Sequence, residues 1–119
     1  EQVLNEKIKL GRYSAVIAVL THDRLKNIYP DHSSFYLGEA YRLRGEKDDL
    51  QKAVAAYLDA EQKKPQFPPV HRALGIVYFK TQKNKKAKLH FEKYLRLAPQ
   101  AEDKGFILHY INTIDKKGY

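Results

Sequence analysis

One spacing constrains this chain more than any bulk property does. Pro65 and Pro99 stand 34 residues apart, and the same offset carries Ala53 and Tyr57 onto Ala87 and Phe91. A second offset, of 37 residues, carries Leu37, Gly38 and Tyr41 onto Leu74, Gly75 and Tyr78. The stretch between the prolines holds two helix-length apolar patterns hinged at Thr81 to Asn84. A recurring unit of this length cannot bury its apolar face alone and must stack on a neighbour. The three surplus residues of the longer offset fall between Gly45 and Ala53, so the turn of the earlier unit is expected to absorb them.

Apolar residues follow a helical period along the chain. Val3, Leu4, Ile8 and Leu10 mark a first short helix ended by Gly11. A second is expected from Tyr13 to about Tyr29, through Val16, Ile17, Leu20, Leu25 and Ile28, with its stop at Pro30. The third starts between Asp31 and Ser34, residues able to accept first-turn N–H groups, and runs through Phe35, Tyr36, Leu37, Ala40, Tyr41 and Leu43 to Gly45. Asp48 or Asp49 opens the fourth, with Gln51 in capping-box register behind Asp48, and Pro65 closes it. Pro68 and Pro69 open the fifth, where a missing N–H costs nothing; Asn84 is expected to cap the sixth, which reaches Pro99. Glu102 and Asp103 place negative charge at the start of a seventh, through Phe106, Ile107, Tyr110, Ile111 and Ile114, and Lys116 to Tyr119 reads as a frayed tail.

Leu-Gly-x-x-Tyr followed by Ala, an aromatic and Pro at these spacings resembles the tetratricopeptide repeat (TPR) family. The resemblance implies an all-α fold, a right-handed α-solenoid of antiparallel helix pairs with a C-terminal capping helix. It divides one TPR-like domain over 1–119 into a partial or degenerate repeat at 1–30, repeats at 31–65 and 66–99, and the capping helix at 100–115. Gly75 with Ala87, and Gly38 with Ala53, are expected to let paired backbones approach. His71 and Ser34 stand where the family has an aromatic, and Tyr94 where it has a small residue, so local repacking is expected there. The chain contains no methionine and begins at Glu1 inside a helical pattern, which reads as a fragment of something longer.

The function classes that composition disfavours narrow the choice. No apolar run approaches the ~20 residues of a membrane-spanning helix, and the absence of cysteine removes disulfide and thiolate chemistry. His22, His32, His71, His90 and His109 lie on separate predicted elements, with no i,i+4 pair and no H-E-x-x-H run, so neither a metal site nor a cofactor is expected. His90 reads as a partly exposed surface residue. Ser14, Ser33 and Ser34 lack a nucleophile-elbow context, and no glycine-rich phosphate loop exists, so no catalytic residues are assigned. Net charge is +8: residues 1–60 balance nine Lys or Arg against nine Asp or Glu, whereas 61–119 carry thirteen against five. Lys83, Lys85, Lys86 and Lys88 crowd one turn. They read first as a solvated turn and second as a polyanion-binding surface, but no nucleic-acid motif accompanies them.

By resemblance, five positions of each repeat's first helix face a ligand in a concave groove. They fall on Phe35, Glu39 and Arg42, with His32 and Leu43, and on Arg72, Ile76, Phe79 and Lys80, with Pro69; the capping helix adds Phe106 and Tyr110. Independently, Arg72, Ile76 and Phe79 are spaced by four and three and share one helix face. Aromatics would supply contact area while Arg42 and Arg72 take a carboxylate. The implied function is a non-catalytic protein–protein interaction module for a peptide or partner domain; Phe35, Glu39 and Ile76 depart from the pattern of the family's chaperone-tail binders. LGEAYRLRG and APQAEDKGF are also similar to repeat tails of bacterial exported peptidases, which implies, as an alternative, a docking or regulatory appendage of a larger enzyme and leans toward the bacterial periplasm. A homodimer through the exposed N-terminal repeat end is a further expectation.

Overall fold

Proline and glycine punctuation sets the element boundaries. The computed structural model describes residues 2–22 and 32–117. These form the helices α1 (Gln2–Lys9), α2 (Tyr13–Thr21), α3 (Ser33–Arg44), α4 (Asp49–Lys63), α5 (Pro68–Lys80), α6 (Asn84–Leu97) and α7 (Lys104–Lys116), with no strand among the described residues. Gly11 and Gly45 hold φ of 75° and 66°, left-handed conformations that cost a side-chain-bearing residue energy, and so end α1 and α3. Pro68 occupies the first turn of α5 as expected.

The chain divides into two compact units, Glu1–Pro65 and Gln66–Tyr119. In the first, α1 packs on α2 and α3, α2 on α3, and α3 on α4. Leu4, Val16, Ile17, Leu20 and Ala40 form a buried cluster, with Ile8, Tyr13, Val19, Tyr36, Leu37 and Tyr41 packed against it. In the second, α5 pairs with α6 and α6 with α7. Leu74, Val77, Phe91, Ile107 and Ile114 are fully buried there, and burial of each such large side chain stabilises by about 1.5–3 kcal/mol.

The same device closes each helix pair. A Cβ added at Gly38 would stand 2.6 Å from the Tyr57 ring, and one at Gly75 would stand 2.5 Å from the Phe91 ring. The glycines therefore seat the aromatic of the second helix, while Ala53 and Ala87 are buried one turn earlier; glycine opposite alanine is not the close contact. The three surplus residues are also shared out. α3 runs six residues past Gly38 where α5 runs five past Gly75, the turn is four residues instead of three, and α4 begins four residues before Ala53 where α6 begins three before Ala87.

Other expectations are corrected. Helix α2 ends at Thr21, because His22 takes extended backbone (φ −81°, ψ 121°); the expected continuation through Leu25 and Ile28 to Pro30, like Asp31 and the tail residues Gly118 and Tyr119, lies outside the described residues. Val3 and Leu10 are exposed, and among the described side chains of α1 Leu4 is the one buried in full. Asp48 holds φ of 64° and makes no side-chain cap. The neighbouring Asp49 instead ties the turn to the end of α3: its carboxylate accepts the Glu46 N–H at 2.9 Å and the Arg44 Nε and Nη2 at 2.8 and 3.0 Å. Asn84 is the first residue of α6 rather than its cap, and its buried Oδ1 has no hydrogen-bond partner among the described residues.

Candidate functional site

In the first unit the sequence-selected residues form a closed polar network. Glu39 and Arg42 lie one turn apart on α3, and Tyr57 reaches them from α4. Arg42 Nη2 donates to both Glu39 oxygens, at 3.0 and 3.2 Å, and its Nε donates to the Tyr57 hydroxyl at 3.0 Å. Tyr57 in turn donates to Glu39 Oε1 at 2.5 Å. Burial, then the Glu39 charge, push the Tyr57 pKa well above its ordinary value. Phe35 leans on the Tyr57 ring at 6.1 Å. Arg42 and Glu39 are only 12% and 19% exposed as side chains, so Arg42 already holds a carboxylate of its own chain.

Arg72 is engaged in the same manner. Its Nε donates to Asp103 Oδ2 at 2.6 Å, and the Tyr94 hydroxyl donates to Asp103 Oδ1 at 2.6 Å. Asp103 precedes α7, so this triad ties α5, α6 and the start of α7 together. Burial and the Asp103 bond push Tyr94 up to about 12. Burial would raise the Asp103 carboxyl, but Tyr94 and Arg72 outweigh it and hold it below the usual carboxylate range. An open hollow of about 550 Å³ beside the triad is lined by Pro68, Pro69, Arg72, Tyr94, Ala98, Ala101, Glu102 and Asp103.

The same unit carries an aromatic face. Tyr110 stacks on the buried Phe91 at 5.0 Å with planes 14° apart. Phe79 and Phe106 flank it at 4.8 and 5.1 Å, at interplanar angles of 68° and 74°. Phe106 remains 57% exposed. Lys117, assigned to a frayed tail from sequence, bonds through its N–H to Ile114 C=O at 3.0 Å and sets its ammonium 5.4 Å from the Phe79 ring centre. No sequence signal marked it, because its position depends on α7 bringing it over α5. Lys80 is exposed on the last turn of α5, whereas Ile76 is buried in the core and offers little surface.

The lysine-rich turn is less uniform than its sequence. Lys83, Lys85 and Lys86 are exposed around a shallow hollow of about 410 Å³. Lys86 lies 5.6 Å over the Tyr78 ring, and Lys88 is drawn into an ion pair with Asp115 at 2.7 Å. Sequence reasoning missed one further pair. His71 and His90 are both buried, so His90 is no surface residue, and their Nδ1 atoms are 3.2 Å apart. Their ring centres are 5.4 Å apart at 19°, which aims one nitrogen at the other as in an N–H···N bond.

The helix pair α5–α6, its Gly75–Phe91 seat and the closing Pro99 form the unit that the comparisons single out. The Tetratricopeptide repeat family matches residues 68–101. No curated protein matches the chain. Repeats of this family generally mediate protein–protein interaction and are generally non-catalytic, and no helix among the described residues is long and apolar enough to cross a membrane. The chain contains a tetratricopeptide repeat at residues 68–101 and is an all-α helical-repeat protein.

Proposed function

We propose that this chain is a non-catalytic interaction module that holds a peptide or partner domain, with the α5–α7 face of the second unit as its main contact. One observation carries the reading: Phe106, on a helix whose isoleucines are buried, stays 57% exposed against Tyr110 and continues an aromatic surface with Phe79. Large aromatics in such settings dominate binding energy at interfaces. Within that face Arg72 acts as a support because it is spent on an internal carboxylate, and Phe35, Glu39 and Arg42 form a separate candidate contact of the first unit, where Arg42 is likewise spent on Glu39. The lysine turn supports a polyanion surface less well, since Lys88 is consumed by Asp115.

A photo-crosslinking side chain placed at position 106, and as control at Leu89, exposed on α6, tests this in source-cell extract. Adducts with a discrete protein from position 106 and none from 89 are expected. Equal labelling from both positions, or none from 106, would remove the face from consideration.

A further inference from the structure

We infer that the partner of the α5–α7 face is an acidic protein segment in which a large apolar side chain is flanked by carboxylates. This rests on the interaction reading above and names the chemistry of its occupant. Residues 66–119 carry eleven Lys or Arg against four Asp or Glu, so seven of the eight excess charges of the chain belong to this unit. Two of its four acids, Asp103 and Asp115, are taken by Arg72 and Lys88. What remains outward is strongly cationic, and an exposed surface of one sign raises the encounter rate and selects partners of the other.

The cations are also placed where a ligand anchored on the aromatics would meet them. Lys80 follows Phe79 on the last turn of α5, and Lys117 follows the last turn of α7 with its ammonium over Phe79. Helix C-termini favour positive charge, which holds both lysines at that end of the face. The opposite end carries Arg72, whose positive charge is balanced by Asp103. The exposed Phe106 beside Tyr110 is the apolar anchor point, and carboxylates on the Lys80 and Lys117 side complete the match. Among the described residues Lys117 lies against a ring and pairs with no carboxylate, so an incoming anion displaces none of their ion pairs.

A random-peptide display library panned against the full chain tests the assignment, with Phe106→Ala and a Lys80→Glu, Lys117→Glu double variant panned in parallel. All three positions are exposed at the surface, so folding of the variants is confirmed simply by circular dichroism. Enrichment of sequences with Asp or Glu around Phe, Trp or Leu is expected, with binding that weakens as salt rises. Loss of the aromatic anchor should weaken the enriched peptides by about tenfold or more, and the double charge reversal should abolish the acidic preference. Neutral or basic sequences that still depend on Phe106 would overturn the acidic assignment while leaving the interaction face intact. Acidic sequences indifferent to all three substitutions would overturn it by locating the contact elsewhere, and absence of any enrichment would count against both readings. A labelled single-stranded oligonucleotide that binds more tightly than the peptides and is lost in the same variants would replace the protein segment with a nucleic acid.

Discussion

Gly75 has no room for a side chain because the Phe91 ring occupies the place of its Cβ, at 2.5 Å. Gly38 and Tyr57 repeat the relationship at 2.6 Å, so helix pairing in both units depends on the same missing atom. Alanine at 75 should gain roughly 0.5–1 kcal/mol of helix propensity but lose about 1–3 kcal/mol through overpacking. A net fall in the urea midpoint at unchanged slope is expected for Gly75→Ala. Gly105→Ala, where nothing lies within 4 Å, should hold or raise the midpoint. A Gly75→Ala protein as stable as the parent would refute the close contact.

Asp103 serves two donors at once, so its loss should be felt at both. Asp103→Asn is expected to destabilise by about 1–2 kcal/mol, toward the lower figure because Arg72 is 36% exposed and its pair is partly screened. Tyr94 gives an optical readout. Its pKa is raised to about 12, so its contribution is complete below the ordinary value of 10.0 and is lost as pH climbs from there through the folded value. In an alkaline titration of tyrosinate absorbance, the late-ionising fraction should diminish in Tyr94→Phe and shift earlier in Asp103→Asn.

Arg42 sits inside a polar triad in which Tyr57 is fully buried and the Glu39 side chain is 19% exposed. Arg42→Met leaves the Glu39 carboxylate with Tyr57 alone, and a cost of about 2–3 kcal/mol is expected, below the ~3–5 kcal/mol of a fully buried broken pair because some exposure remains. A double-mutant cycle with Glu39→Gln should show coupling. Strictly additive effects would mean that the triad contributes no mutual stabilisation.

Acid should loosen both units through two carboxylates. The Arg44 hydrogen bonds hold the Asp49 pKa below its ordinary 3.8 against the opposing effect of burial, and Tyr94 and Arg72 hold Asp103 below the same value. The stability they supply is fully present above 3.8 and drains away as pH falls below it through the depressed values. Urea midpoints measured from neutral pH downward should be flat and then fall in this acid range. Asp49→Asn should start lower and show a shallower acid limb.

Helices α1 and α2 have eight and nine residues, too short to persist without packing. With α1 burying only Leu4 completely, its amides should exchange fastest by native-state hydrogen exchange, and those of α5 and α6 slowest. Stronger protection in α1 than in α6 would contradict this ordering.

Much of the fold was legible because repeat proteins write their architecture locally. Pro65, Pro68 and Pro99 end or begin helices wherever they occur, and Leu37-Gly38 and Leu74-Gly75 share a register that survives three inserted residues. The selected aromatics Phe106 and Tyr110 share a face because they are four residues apart on one helix, and packing of α7 then brings Phe79 of α5 onto Tyr110. Arg42 and Arg72 were harder. Their helices could be read from the apolar period, and their side from the family resemblance and, for Arg72, from spacing as well, but their partners Tyr57 and Asp103 stand 15 and 31 residues away.

The sequence by itself determined the helices, their order and the repeat, because these follow from proline, glycine and apolar period acting over a few turns. Tertiary structure alone decided what each polar group does. Packing gave the two arginines expected to bind ligand internal carboxylate partners, buried His71 against His90 at 3.2 Å, and carried a supposed tail lysine onto Phe79. Each of these outcomes requires residues from different helices to meet, and burial then compels polar atoms to find the partners that packing happens to bring within reach.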